Sequence, residues 1–170
     1  MKDLNYYINA FLTLNTMRKC GKPAPHKALL LLSIIDLIEQ NKITDCRIVL
    51  NDNLVKQFRD NTSILLNDSI LFQPKVNYPY YHMRSEPFWK LVSHSDEPIE
   101  EIGNYSITNL RKHIAYARID NELFELIKEP EAKIKLRVAL ISEYLGDQPT
   151  LADNLPLILF TFGTLANLIA

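Results

Sequence analysis

Residues 23–38 constrain the chain most: Pro-Ala-Pro-His-Lys, then Ala28-Leu29-Leu30-Leu31-Leu32-Ser33-Ile34-Ile35-Asp36-Leu37-Ile38. Pro25 suits the first turn of a helix, where a missing backbone N–H costs nothing. The helix predicted from about His26 to Gln40 carries Leu or Ile on nearly every face. A helix apolar all round is surrounded by other elements, so this one is central and the rest of the chain is its cover. It is too short to span a bilayer, which needs about 20 apolar residues, and Asp36 interrupts it.

The flanking sequence supplies that cover. Asp3 or Asn5 can cap a first helix running to about Lys19, with Leu4, Tyr7, Ile8, Phe11 and Leu12 at three-to-four spacing. Arg18 and Lys19 suit its last turn, and Gly21 its end. Residues 43–50 read as a short strand or extended connector. Asn51 or Asp52 then caps a helix to about Arg59, with Leu54, Val55 and Phe58 inward. A strand is expected over residues 69–72. A hairpin is expected from Tyr80–Arg84 and Phe88–Val92, which would put Tyr80, His82 and Arg84 on one face. Thr108 is expected to cap a helix over Asn109–Arg118 and Asp120 another, while Glu129-Pro130 opens a helix to about Leu145, ended by Gly146. The fold class is therefore α+β, predominantly helical, with a small antiparallel hairpin sheet and a winged-helix-like helix-turn-helix core. Residues 1–146 form the domain, and 147–170 form a polar linker and an apolar C-terminal segment.

Composition narrows the chemistry. Four His and two Cys show none of the spacings that hold zinc. Cys20 and Cys46 make no disulfide framework, consistent with a reducing cytoplasm. Gly occurs only at 21, 103, 146 and 163, so no Gly-rich phosphate loop or nucleophile elbow exists. No catalysis, cofactor or metal is expected of this chain, and no membrane association or secretory signal. The net charge of −1 excludes a globally basic coat. Charge is nonetheless uneven: residues 1–60 hold nine Lys/Arg against six Asp/Glu, a net of +3, and the remainder holds ten against fourteen, a net of −4.

Three polar groups stand out, each with two readings. His26-Lys27 is either a solvated first turn or an anion site, where backbone N–H groups and a Lys receive a phosphate. A basic pair opposes the dipole at a helix N-terminus unless an anion arrives. Tyr78-Pro79-Tyr80-Tyr81-His82 is either packing or a rigid aromatic ligand wall. Arg84, Arg111, Lys112 and Arg118 are either solvated charges or phosphate clamps.

Taken in order, these pieces resemble a known family. Ala24-Pro25-His26-Lys27-x-Leu-Leu-Leu-Leu, then Tyr78-Pro79-Tyr80-Tyr81-His82-Met83, Phe88-Trp89-x-Leu91, and Ala117-x-x-Asp120-x-x-Leu123-Phe124 are similar to the DNA sulfur-recognition domain. In that family the domain precedes His-Asn-His nuclease domains of modification-dependent (type IV) restriction enzymes. The similarity covers about residues 4–145. It implies binding to double-stranded DNA in which one non-bridging phosphate oxygen is replaced by sulfur, in restriction or defence.

A phosphorothioate keeps its charge, but its sulfur is larger, more polarisable and less hydrated than oxygen. A shallow cavity with Pro and Tyr walls favours sulfur and leaves an oxygen poorly solvated. By motif, the resemblance places Pro25, His26, Lys27, Tyr78, Pro79 and His82 at the sulfur and phosphate. His82 stands where the family has a cavity-lining residue, and it is bulkier than a small one. Lys22, Arg84, Arg111 and Arg118 are the candidates for DNA backbone or base contacts. The nuclease half is not seen, so two arrangements are expected: a free-standing reader with a nuclease partner or a homodimer through the C-terminal apolar segment, or a piece of a longer enzyme. Two other readings stay open: a winged-helix-like regulator that binds unmodified DNA, and a protein-interaction subunit of a restriction system.

Overall fold

The structure is a computed structural model that describes residues 2–66, 72–95, 98–99 and 101–146. The expected strand over residues 69–72 falls mostly outside the described residues, and the linker and apolar segment of residues 147–170 lie wholly outside them.

The central helix is α2. After α1 (Leu4–Leu12), a hairpin of β1 (Arg18–Lys19) and β2 (Lys22–Pro23) leads into α2 (His26–Glu39), whose residues 27–38 are all buried. Each Leu or Ile shielded this way contributes roughly 1.5–3 kcal/mol by apolar transfer. Then follow β3 (Arg47–Ile48), α3 (Asp52–Leu66), α4 (Asn77–His82), a 3-10 turn (Met83–Ser85), β4 (Trp89–Ser93), α5 (Ile107–His113), β5 (Ile114–Ile119), α6 (Asn121–Lys128) and α7 (Pro130–Tyr144). Helices α1, α3, α4, α6 and α7 all cover α2 or one another. The larger sheet is antiparallel in the order β3-β5-β4. From α2 onward the chain runs helix, strand, two helices, strand, helix, strand, with the last strand between the other two, in a predominantly helical α+β fold.

Local chemistry explains the boundaries. Asp3 caps α1 by accepting the Tyr6 N–H at 2.9 Å, and Asn51 caps α3 through the Leu54 N–H at 3.0 Å. Asp120 sits at the N-cap of α6, but its carboxylate is taken by the Lys2 ammonium (2.7 Å) and the Tyr7 hydroxyl (2.8 Å), tying α1 to α6. The sheet alternates where its three strands pair around Arg118. Ile48, Ala117, Ile119 and Trp89 point into the core, while Arg47, Arg118 and Lys90 point out.

Four expectations are corrected. The first helix stops at Leu12, and Arg18–Pro23 is a hairpin instead. Its turn, Cys20-Gly21, has φ of +52° and +77°, the backbone that a tight two-residue hairpin loop requires. Residues Tyr80–Arg84 are helix and 3-10 turn rather than a strand, because Val76, Tyr80 and Met83 meet the core at helical spacing. The helix expected over Asn109–Arg118 is only α5, capped by Ser106 and not Thr108, and residues 114–119 are the middle strand of the sheet. Helix α3 runs on to Leu66, past Arg59.

A buried polar network locks the helices together. Asp36 of α2 accepts from Arg137 of α7 at 2.5 Å and from Asn61 of α3 at 2.7 Å. Asn61 also reaches Ser33 at 3.2 Å, and Arg137 reaches Glu39 at 3.1 Å, beside an ion pair between Lys133 and Glu39. Asp36 and Arg137 are 1% and 3% exposed, so each depends on the other to remain buried.

Candidate nucleic-acid interface

The head of α2 and the α4 turn lie some fifty residues apart in sequence and meet in space. Pro25 holds the N-cap position of α2, and its carbonyl accepts the Leu29 N–H at 2.9 Å. The His26 ring packs edge-on against Phe72, with centroids 5.9 Å apart. Among the described residues its Nε2 is buried without a hydrogen-bond partner, and burial holds the imidazole below its ordinary pKa.

Lys27 turns inward. Its ammonium donates to the Ser85 hydroxyl at 2.8 Å and to the Glu86 carboxylate at 2.5 Å. The two side chains of this ion pair are 8% and 5% exposed. The same Glu86 oxygen accepts the Asn15 N–H at 3.1 Å. Thus one carboxylate gathers the start of α2, the end of the 3-10 turn and the segment after α1. Glu86 has no motif signature; only a buried Lys in want of an anion could have pointed to it.

Helix α4 splits its aromatics between core and surface. Tyr80 and Tyr81 are fully buried, and Pro79 with them. The Tyr80 hydroxyl donates to the Ile48 carbonyl at 2.7 Å, and its ring meets Trp89 edge-on at 5.6 Å, which fixes α4 to the inner face of the sheet. The Tyr81 hydroxyl accepts the Ile102 N–H at 3.2 Å. Tyr78, 45% exposed, and His82, also exposed, are left at the surface. Tyr105 joins them from the loop before α5, with ring centroids 5.9 Å from Tyr78, 4.9 Å from Tyr81 and 5.1 Å from His82. The Arg84 guanidinium lies over the Tyr81 ring at 4.2 Å. His82 is held below the ordinary imidazole pKa, first by burial and then by the charges of Arg84 and Lys27, so these three share one electrostatic neighbourhood. Tyr105 lies in an irregular loop whose sequence gives no spacing signal, and sequence reasoning misses it.

The remaining candidates lie elsewhere. Lys22 is exposed on β2 of the hairpin that leads into α2. Arg111 is committed to the start of α3, donating to the Leu50 carbonyl at 2.6 Å and to Asp52 at 2.7 Å. Arg118 stands on the outer face of the sheet, on the opposite side from the face that α4 packs on. Among the described residues, no cluster of His, Cys, Asp and Glu is placed to hold a metal ion, and no helix is long and apolar enough to cross a membrane.

The surface that results is a cluster of aromatic rings with a histidine, an arginine 4.2 Å from the Tyr81 ring centre and a neutralised lysine beneath. Such a surface offers polarisable contact and modest positive potential rather than a dense cluster of cations.

No protein-family model and no curated protein matches the chain. Solved structures share its fold, among them two sulfur-binding domains. The sulfur binding domain of SprMcrA, complexed with phosphorothioated DNA, superposes with a TM-score of 0.63 at 11% identity, over 94% of this chain and 96% of that one. The sulfur binding domain of ScoMcrA, also complexed with phosphorothioated DNA, does so with a TM-score of 0.60 at 17% identity, over 89% and 96%. The chain therefore has the fold of these sulfur-binding domains.

Proposed function

We propose that this chain reads phosphorothioate-modified duplex DNA, taking the sulfur on the surface formed by Tyr78 and His82, floored by the buried Pro79, with the head of α2. The observation that carries this reading is the meeting of two separate motifs, Pro25-His26-Lys27 and Tyr78-Pro79-x-x-His82, through the Lys27–Ser85–Glu86 junction. The fold shared with two sulfur-binding domains supports it. In this reading the aromatic and proline faces desolvate the substituted phosphate. Sulfur tolerates that loss of water better than oxygen does, so it is preferred. Lys27, neutralised by Glu86, holds the turn that carries His82 and adds little net charge, so affinity rests on the sulfur more than on phosphate in general. Arg84, whose guanidinium is exposed above Tyr81, supplies the backbone contact. The chain acts as a cytoplasmic recognition module in restriction or defence, and cleavage belongs to a nuclease elsewhere.

The test is a binding titration at moderate salt with one short duplex, made with and without a single phosphorothioate of defined stereochemistry. The reading requires clearly tighter binding of the sulfur-bearing duplex. Equal binding to both would make the chain a reader of ordinary DNA, and no binding to either would leave it a protein-interaction subunit.

A further inference from the structure

The outer face of the sheet carries a row of cations that the surface around α4 does not use. Arg47 of β3 lies directly opposite Arg118 of β5, and Arg118 directly opposite Lys90 of β4. All three are exposed. Like charges placed directly across strands weaken a sheet, so three in register is an arrangement the fold alone does not favour. Arg47 shares its charge with Asp45 at 2.6 Å. Among the described residues, Arg118 and Lys90 have no carboxylate partner. Arg118 instead bonds the Tyr116 hydroxyl at 2.9 Å, and the guanidinium carbons of Arg118 and Arg47 lie 5.6 and 6.0 Å from the centre of the Tyr116 ring. The ring thus sets both guanidinium groups on the solvent side of the sheet.

The geometry points to a second DNA-contacting surface here, which takes the phosphate backbone of a duplex segment other than the one seated at α4. Strands spaced about 4.8 Å apart set the three cations along a line of roughly 10 Å. A linear polyanion with a phosphate about every 3.4 Å along each strand matches such a line. Planar guanidinium groups suit phosphate oxygens. Because α4 packs on the inner face of the same sheet, the two surfaces look in different directions, and the chain can hold two duplex segments at once. This surface is indifferent to sulfur. It shares with the proposed function only that the chain binds DNA.

The deciding variant is Lys90→Glu. The new carboxylate faces Arg118 across the strand pair, an attractive pairing that keeps the sheet folded, while the positive row is broken. The wild-type chain is mixed with a phosphorothioate duplex and an unmodified duplex carrying different dyes, and co-sedimentation of both dyes is measured across a salt series. We expect both duplexes in one complex. In Lys90→Glu, thermal unfolding should be unimpaired, the second duplex should be held at least about tenfold more weakly, and its salt slope should fall by about one to two units. Affinity for the sulfur-bearing duplex alone should change less than about twofold. Absence of a two-duplex complex in the wild type, or an undiminished one in Lys90→Glu, would overturn the inference. A wild-type chain that forms the two-duplex complex but ignores sulfur would refute the sulfur reading and leave this surface standing.

Discussion

The pair Lys27–Glu86 makes a quantitative demand on the fold. Both side chains are less than a tenth exposed, so the pair belongs to the buried regime. There, removing one partner costs about 3–5 kcal/mol, against about 0–1 kcal/mol at the surface. Lys27→Met strands a carboxylate that keeps two neutral donors, the Asn15 N–H at 3.1 Å and the Ser85 hydroxyl at 3.2 Å. Those bonds offset part of the cost, which places the expected loss near the lower end, about 3 kcal/mol. Glu86→Gln leaves the ammonium with Ser85 and an amide oxygen, for a loss of about 2–3 kcal/mol. Replacing both partners leaves no buried charge, and the double variant should return to within about 1 kcal/mol of wild type. The coupling between the sites is then several kcal/mol.

Urea unfolding followed by Trp89 fluorescence is a direct assay, since Trp89 is the only tryptophan and is 4% exposed. Losses that simply add, with coupling below about 0.5 kcal/mol, would refute the buried pair. The double variant also separates stability from binding. If Lys27 is structural, the refolded double variant keeps the wild-type salt slope for DNA to within about half a unit; a drop of about one unit would mean that Lys27 touches a phosphate.

Other outcomes follow from single sites. Pro79→Ala should weaken binding of phosphorothioate duplex more than that of the unmodified duplex, and an equal loss on both, measured in parallel titrations, would remove Pro79 from the sulfur site. His26 has its pKa lowered by burial, so the unfolded chain binds more protons as pH falls below the ordinary imidazole value. Stability should therefore decline as pH drops from about 7 towards 5, and His26→Phe should flatten that slope in thermal melts; an unchanged slope contradicts the burial of the ring. Cys20 adopts a left-handed backbone with φ of +52° ahead of Gly21. Cys20→Asn, which suits that position in a tight hairpin turn, should raise stability by roughly 0.5 kcal/mol in chemical unfolding. A loss would show that the thiol is packed rather than exposed.

The helical half of the fold was readable because its signals are local. Leu and Ile on every face of residues 28–38 could only be a central helix, and the Asn51 and Asp120 positions open α3 and α6 where the sequence put them. The failures come from segments whose local pattern fits two periods. Tyr78-Pro79-Tyr80-Tyr81-His82 has strand-like composition, yet Val76, Tyr80 and Met83 face the core four and then three residues apart, and Tyr80 is needed under the sheet. Conversely, residues 114–119 are a strand that alternates only over Ala117-Arg118-Ile119, and they sit directly after a capped helical turn that invites extension. Gly21, expected to end the first helix, instead sits in the turn of a hairpin. For the site, the sequence marked both motifs. It could not show that Lys27 is spent on Glu86, that Arg111 is tied to the start of α3, or that Tyr105 joins the aromatic cluster, because each depends on partners far away in the chain.

The Asp36–Arg137 contact also has a consequence in time. Asp36 is made early and its cation a hundred and one residues later. A chain emerging from the ribosome at about 5–20 residues per second therefore holds an unpaired acid in its central helix for several seconds before the neutralising arginine exists. During that interval Asp36 has Asn61 of α3 but not Arg137, so α2 is expected to reach its native burial only once α7 is made. The candidate surface at α4 is complete in sequence before α7, the last helix to cover α2, has been made.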